Sequence, residues 1–239
     1  MISQDVQKTL AQKYQTTELN VRREYVQHLF LSYFYQQPQT DKIFFKGGTA
    51  LKILHNSPRF SEDLDFSTVL SQIAPIEQAL IQTLVELEKE GISANLKEAK
   101  ITSGGYLARI SFQLYNQSIE ILLQISLREG DKRGELMTVV NDFMPTYTIM
   151  VLMREQLVAE KIQALLTREK PRDFYDLYFI LRASLLPPQD KDILFQVLDV
   201  LKTTNLNFEH ELKQFLPKSH WPLLKDFREV LGREIQRFR

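Results

Sequence analysis

The apolar positions near the N-terminus recur at helical spacing, and the pattern then changes to that of a β-strand. Val6, Leu10 and Tyr14 fall on one face of a helix, and a second helical stretch ends at Pro38. A short apolar run, Ile43–Phe45, follows and is typical of a buried strand. The pattern therefore predicts N-terminal helices that pack on a sheet beginning at Ile43.

The middle of the chain continues this alternation of helix and strand. Helical spacing predicts a helix over residues 71–91, and three β-rich runs follow at residues 97–102, 106–115 and 119–127. Residues 129–148 are interpreted as a loop with a short strand, punctuated by glycine. This order predicts an α+β fold in residues 1–148, with a mixed β-sheet flanked by helices.

The remainder of the chain, residues 149–239, has an entirely helical pattern. A wide apolar stripe extends over residues 152–168, and Pro171 suits the first turn of the next helix. We therefore expect a helical C-terminal lobe as a second domain.

Composition narrows the possible functions. Thirty basic and thirty acidic residues cancel, so any nucleic-acid contact has to come from a local basic patch. The absence of cysteine excludes a disulfide framework and a thiolate zinc site, and the four histidines lack metal-ligand spacing. No apolar run approaches the length of a membrane span, and the N-terminus lacks the apolar core of a signal peptide, so we expect a cytoplasmic protein without a membrane partner.

Two glycines directly follow the first predicted strand. Gly47 and Gly48 allow a sharp turn and a close approach of a ligand to the backbone. Thr49 is interpreted as the N-cap of a helix over residues 50–55. The amide groups at such a helix start can bind a phosphate.

Two acids lie beyond that helix, in the stretch Asp63-Leu64-Asp65-Phe66. In a strand, Asp63 and Asp65 point to the same face, about 6.5 Å apart by strand rise. Two carboxylates can bind Mg²⁺ together with the phosphates of a substrate. A phosphate cradle beside a carboxylate pair suits nucleotidyl transfer, in which metal ions neutralise the triphosphate and activate the attacking hydroxyl.

The segments KGGTAL and RFSEDLDF, in this order, resemble the signature of the nucleotidyltransferase superfamily. The residues of both segments are similar to those of the AbiEii/AbiGii family, the nucleotidyltransferase toxins of bacterial toxin–antitoxin and abortive-infection (phage-defence) systems. A later segment, REKPRDFYD, resembles the C-terminal motif of the same family. The alternative from the residues alone is a strand, turn and helix with an acidic surface strand.

The resemblance implies a nucleotidyltransferase fold and a set of site residues. The implied catalytic residues are Asp63, Asp65, Lys161 and Asp176, with Asp63 and Asp65 as ligands of Mg²⁺; the implied binding residues for the NTP substrate are Gly47, Gly48, Thr49 and Ser61. Lys161 would offer a compact positive charge to phosphate, and Asp176 would orient Lys161 or act as a base. From the residues alone, Lys161 is better explained as a lysine at the border of an apolar stripe.

The resemblance also implies a toxin with an RNA acceptor, in the first place the 3′ end of tRNA, and an antitoxin partner. Arg168, Lys170 and Arg172 would line a positive strip for RNA in a cleft between the lobes. The alternative for these cations is a ladder of surface ion pairs, with Arg172 and Asp176 at i,i+4 spacing.

One position departs from the superfamily pattern. Many nucleotidyltransferases have a third acid on the last strand of the sheet, and the pattern ISLRE (residues 125–129) puts that place at Gln124. Glu120 shares the strand face but lies about 13 Å away by strand rise, too far for the same metal ions. Two alternatives therefore stay open: transfer to a small molecule or a protein, and an NTP-binding interaction protein without catalysis.

Ser61 generates a first prediction. Because it lies two residues before Asp63, its hydroxyl would face the same site, and a phosphate there would set a dianion against the metal position. We expect Ser61→Asp and Ser61→Glu to lose nucleotidyl transfer, measured with an α-labelled NTP. Full activity in either variant would contradict the hypothesis.

Overall fold

A computed structural model of the chain describes residues 1–128 and 130–238. The described chain forms two compact units. The N-terminal unit comprises Met1–Asn56 and Phe60–Met153, and the C-terminal unit comprises Ser57–Arg59 together with the residues from Arg154 onward.

The N-terminal unit is built on one mixed sheet. Within its described residues the sheet has seven strands: β1 (Ile43–Lys46), β2 (Leu64–Thr68), β3 (Ser93–Thr102), β4 (Gly105–Leu114), β5 (Gln117–Ser126), β6 (Gly134–Val139) and β7 (Tyr147–Leu152). Their order is β3-β4-β5-β2-β1-β7-β6. The pairs β2–β5 and β1–β7 are parallel, and the other pairs are antiparallel.

Four helices complete the described part of this unit: α1 (Gln4–Lys13), α2 (Glu18–Phe34), α3 (Gly47–His55) and α4 (Ala74–Lys89). The side chains of Ser3 and Thr17 cap α1 and α2, accepting hydrogen bonds from backbone amides of their first turns. On α2, Phe34 packs its ring 5.5 Å from that of Phe66 in β2, and Phe66 lies equally close to Phe45 in β1. These fully buried rings join α2 to the middle of the sheet.

Residues 129–148 contain the short strand that was predicted there, β6, and in addition the start of β7. Residue 148, the predicted domain boundary, lies inside β7. Glu129, the last residue of the ISLRE pattern, lies outside the described residues. The strand β6 occupies the edge of the sheet and exposes Leu136, so its sequence lacks the apolar alternation of a half-buried strand.

The C-terminal unit is helical over its described residues. Its helices are α5 (Arg154–Arg168), α6 (Pro171–Arg182), α7 (Ile193–Thr203), α8 (Phe208–Leu212), α9 (Trp221–Lys225) and α10 (Phe227–Arg237). The rings of Phe174 and Tyr175 in α6 contact Phe208 and Phe227, and this aromatic cluster fixes α6 at the centre of the unit. Among the described residues, no helix has both the length and the apolar character that a membrane span requires.

Candidate active site

Helix α3 begins at Gly47, where β1 ends. Its N-cap is Lys46, whose backbone is extended, and Gly47 adopts a positive φ of 85°. The backbone amides of Gly47, Gly48 and Thr49 therefore belong to the first helical turn, where amides have no acceptor within the helix. The prediction that the helix starts at residue 50 with Thr49 as its N-cap was wrong, because glycine permits the chain to turn into the helix earlier.

Thr49 connects helix α3 to the residues before β2. Its side chain is buried, and its Oγ1 donates a hydrogen bond to the backbone carbonyl oxygen of Asp63. This bond ties the first turn of α3 to the residue that precedes β2. The hydroxyl of Thr49 is thus engaged inside the protein.

The two acids lie on the same side of the second strand. Asp63 directly precedes β2, and Asp65 is its second residue. Both are partly exposed, whereas Leu64 and Phe66 between and beyond them are completely buried. This alternation turns both carboxylates away from the core, as the sequence predicted.

Asp65 lies against the start of α3. In the antiparallel register of β1 and β2 its partner is Lys46, the N-cap residue. A Cβ atom added to Gly47 would lie 2.8 Å from the Cβ and 2.9 Å from the Cγ of Asp65, closer than real contacts allow. Gly47 is therefore required twice, by its backbone conformation and by the side chain of Asp65, and the carboxylate adjoins the positive end of the helix dipole.

Gln124 occupies the neighbouring strand at the height of Asp65. The parallel register of β2 and β5 pairs Asp65 with Gln124, and Glu120 forms an ion pair with Arg109 at 3.7 Å. The amide oxygen of Gln124 offers a neutral ligand where many nucleotidyltransferases have a third acid. Across the described residues, no group of three histidine, cysteine or acidic side chains forms a metal cage. Two carboxylates and an amide oxygen fit Mg²⁺, which takes oxygen ligands and shares them with substrate phosphates.

Gln27 holds the loop that leads to these acids, and no motif in the sequence pointed to this residue. Its Nε2 donates to the backbone carbonyl oxygens of Ser61 at 3.0 Å and Glu62 at 3.1 Å, and the side chain is buried. Arg23, one turn earlier on α2, forms an ion pair with Glu62 at 3.2 Å. Helix α2 thus fixes the path of the chain just before Asp63, and Ser61 is partly exposed there.

The C-terminal unit contains a second cluster of predicted site residues. Lys161 on α5 donates from Nζ to Oδ2 of Asp176 on α6 at 2.7 Å. The guanidinium of Arg59 binds the same carboxylate at two points: Nε to Oδ1 at 2.7 Å and Nη2 to Oδ2 at 2.9 Å. Asp176 and Arg59 are buried, and 12% of the Lys161 side chain is exposed. The structure thus joins Lys161 and Asp176, and adds Arg59.

The protonation state of Asp176 favours one of its two predicted roles. Burial alone would raise its pKa, but the charges of Arg59 and Lys161 and their hydrogen bonds outweigh burial and lower the pKa to about 2. A carboxylate with so low a pKa is a weak base. Of the two predicted roles, the low pKa and the hydrogen bond from Lys161 suit orientation of the lysine better than action as a base.

The cations of the predicted RNA strip differ in their surroundings. Arg168 donates to Asp173 at 2.6 Å with about half of its side chain exposed. Lys170 is exposed, and Arg172 is partly buried. The predicted alternative, a ladder of ion pairs, is confirmed for Arg168 and Asp173. It was wrong for Arg172 and Asp176, because Asp176 binds Arg59 and Lys161 instead.

The order of these elements, a strand, a glycine turn into a helix and a strand with two outward-facing acids, agrees with the nucleotidyltransferase fold that the sequence predicted. The family model described as nucleotidyl transferase AbiEii toxin, type IV toxin–antitoxin system, matches residues 29–237. The chain belongs to this family, and it is a nucleotidyltransferase toxin. The family and the enzyme class predicted from the sequence are confirmed.

Two solved structures are similar over almost the whole chain. MenT4, a nucleotidyltransferase toxin of Mycobacterium tuberculosis, has a TM-score of 0.65 at 17% identity, covering 100% of this chain and 93% of that chain. JHP933 of Helicobacter pylori has a TM-score of 0.64 at 20% identity, covering 93% of each chain. At these identities the likeness shows the fold, and it confirms the predicted α+β class. A comparison with curated protein sequences found no significant match.

Gly47 generates a prediction with a matched control in the same chain. Gly47→Ala places a methyl group against Asp65 at a positive φ, and we expect a loss of about 1–3 kcal/mol in the free energy of unfolding. Because Asp65 has to move, we also expect transfer activity to fall on the order of 100-fold. Urea unfolding and transfer from an α-labelled NTP measure the two effects.

Gly232→Ala is the control. Gly232 lies within α10, and a Cβ atom there would meet nothing within 4 Å. We expect this variant to keep its activity and to gain up to about 1 kcal/mol from helix propensity. Wild-type activity and stability in Gly47→Ala would contradict the role given to the contact with Asp65.

Proposed function

We propose that this toxin uses Mg²⁺ to transfer a nucleotide from an NTP to a hydroxyl group of RNA. The specific acceptor that we propose is the 3′ end of tRNA. The observation that carries the proposal is the pair of outward-facing carboxylates, Asp63 and Asp65, beside the glycine start of α3. A nucleotide added at that end would prevent aminoacylation and so stop translation. The toxin would act in the cytoplasm, where NTPs and tRNA are present.

Asp63 and Asp65 are the residues that would hold Mg²⁺, with Gln124 as a neutral third ligand on the adjacent strand. When bound, the metal supplies positive charge against the triphosphate and lowers the pKa of the attacking hydroxyl. The short supply of acidic ligands leaves coordination positions for phosphate oxygens, which suits a site that binds metal and NTP together.

The backbone of α3 would bind the phosphates. The first-turn amides of Gly47, Gly48 and Thr49 point along the helix axis away from the helix, and the helix dipole adds positive potential there. Gln27 contributes indirectly, since it fixes the backbone at Ser61 and Glu62. The rate gain would come from holding the reactants in one geometry.

Lys161 and Asp176 would act in the same reaction, as the family motif implies. Lys161 supplies a positive charge to a phosphate, and Asp176 restricts the position of the lysine ammonium through their 2.7 Å bond. Lys161 and Arg59 are cations and Asp176 is the one anion between them, so the cluster retains a surplus positive charge.

The choice of RNA as acceptor is supported by charge at the surface of the C-terminal unit. Arg168 and Lys170 are exposed cations in a chain whose net charge is zero. Such local cations supply the contacts to the RNA backbone that the overall charge does not provide. The type IV toxin–antitoxin system implies an antitoxin as a further partner.

The acids generate the central prediction. We expect Asp63→Asn and Asp65→Asn each to reduce label transfer from an α-labelled NTP to total RNA on the order of 100-fold or more, because the charge that binds the metal is removed. Asp199→Asn is the control, since Asp199 is an exposed acid on α7 paired only at the surface with Lys202. Wild-type transfer in Asp65→Asn would overturn the metal assignment.

The same assay decides the acceptor. The four NTPs are supplied separately, and the products are divided into RNA, protein and small molecules. Label in tRNA that is lost when the 3′ hydroxyl is oxidised with periodate supports the proposal. Label only in protein or in small molecules overturns the RNA acceptor and leaves the transferase class intact.

A further inference from the structure

Arg59 forms a buried ion pair within the C-terminal unit, although its neighbours along the chain belong to the N-terminal unit. It belongs to the segment Ser57–Arg59, which follows α3 and precedes the acids in sequence, yet packs with the C-terminal helices. Only 4% of the residue is exposed, and both oxygens of the Asp176 carboxylate accept hydrogen bonds from its guanidinium. An arginine held at two points has one orientation, and so does the carboxylate that it holds.

The carboxylate of Asp176 also binds the ammonium group of Lys161. Its Oδ2 accepts from Nη2 of Arg59 at 2.9 Å and from Nζ of Lys161 at 2.7 Å. Without Arg59, the buried carboxylate would lose two of its hydrogen bonds and would be held less firmly, and so would the lysine bound to it. Two further titratable groups interact electrostatically with Arg59: Asp173, which is bound to Arg168, and Tyr175.

We propose that Arg59 is a positioning residue for nucleotidyl transfer, which locks the Asp176 carboxylate and through it fixes the ammonium group of Lys161. This inference rests on the proposed role of Lys161 in the reaction. Arginine suits the task better than lysine, because its planar fork matches both carboxylate oxygens whereas an ammonium group is a single point charge.

A lost pairing has a directional effect on Asp176. In the wild-type protein the charges of Arg59 and Lys161 outweigh burial and keep the pKa of Asp176 low. With Arg59 replaced by an uncharged side chain, burial remains and one of the two opposing positive charges is gone, so the pKa of Asp176 rises. Asp176 then becomes protonated at a higher pH, and the acid limb of the pH–activity profile has to move upward.

Arg59→Met tests the proposal. We expect kcat to fall on the order of 100-fold, since a small misplacement of a charged group is that costly, with little change in KM for the NTP. We also expect the acid limb of the profile to move to higher pH. Arg59→Lys keeps a charge but not the fork, and we expect a smaller fall and a smaller shift.

Arg182→Met is the matched control. Arg182 lies on the same helix as Asp176, but its side chain is 54% exposed and it pairs with Glu234 at 3.7 Å. Loss of this arginine should leave kcat and the acid limb unchanged. Circular dichroism and urea unfolding show which variants fold, and Arg59→Lys takes the place of Arg59→Met if the methionine variant does not fold.

A readout without catalysis separates this inference from the proposed function. Carbon-13 NMR of the aspartate carboxyl groups, assigned with Asp176→Asn, follows the pKa of Asp176 directly. An unchanged pKa in the folded Arg59 variants, or an unchanged acid limb, overturns the role of Arg59. Absence of transfer to every acceptor in the wild-type protein overturns the proposed function instead, whatever the NMR titration shows.

Discussion

The close approach of Asp65 to the backbone of Gly47 is the constraint on which the N-terminal part of the site depends. It follows from the register of β1 and β2, which sets Asp65 opposite the N-cap of α3. A slip of one residue would turn Asp63 and Asp65 into the core and Leu64 and Phe66 into water. The burial of those two apolar side chains therefore specifies where the carboxylates lie, and one contact serves both stability and chemistry.

The cluster around Asp176 solves a different physical problem. Removing a carboxylate from water is costly, and here two cations with short hydrogen bonds offset that cost. Because two cations share one carboxylate, these three side chains together keep a surplus positive charge. A buried ion cluster of this kind is better understood as a device for holding charge in place than as a source of stability.

Local sequence signals predicted the elements of the N-terminal unit, the outward direction of the two acids and the helical C-terminal lobe, because periodicity and glycine pairs act over a few residues. They misplaced the start of α3, since Thr49 has the chemistry of an N-cap while the structure uses its hydroxyl to hold the carbonyl oxygen of Asp63. They predicted a short strand within residues 129–148 but not its bounds, because the side chains of the edge strand β6 are largely exposed. The bond between Arg59 and Asp176 spans 117 positions, and no local pattern encodes a pairing of that kind.

Because of the segment Ser57–Arg59, no single cut in the chain separates the two units. The chain leaves the N-terminal unit after Asn56, contributes three residues to the helical unit and returns at Phe60. A chain ended at Met153 would carry Arg59 without Asp176, and a helical unit expressed alone would carry Asp176 without its guanidinium. Recombination between relatives at the boundary after Met153 would thus exchange one half of a buried ion pair.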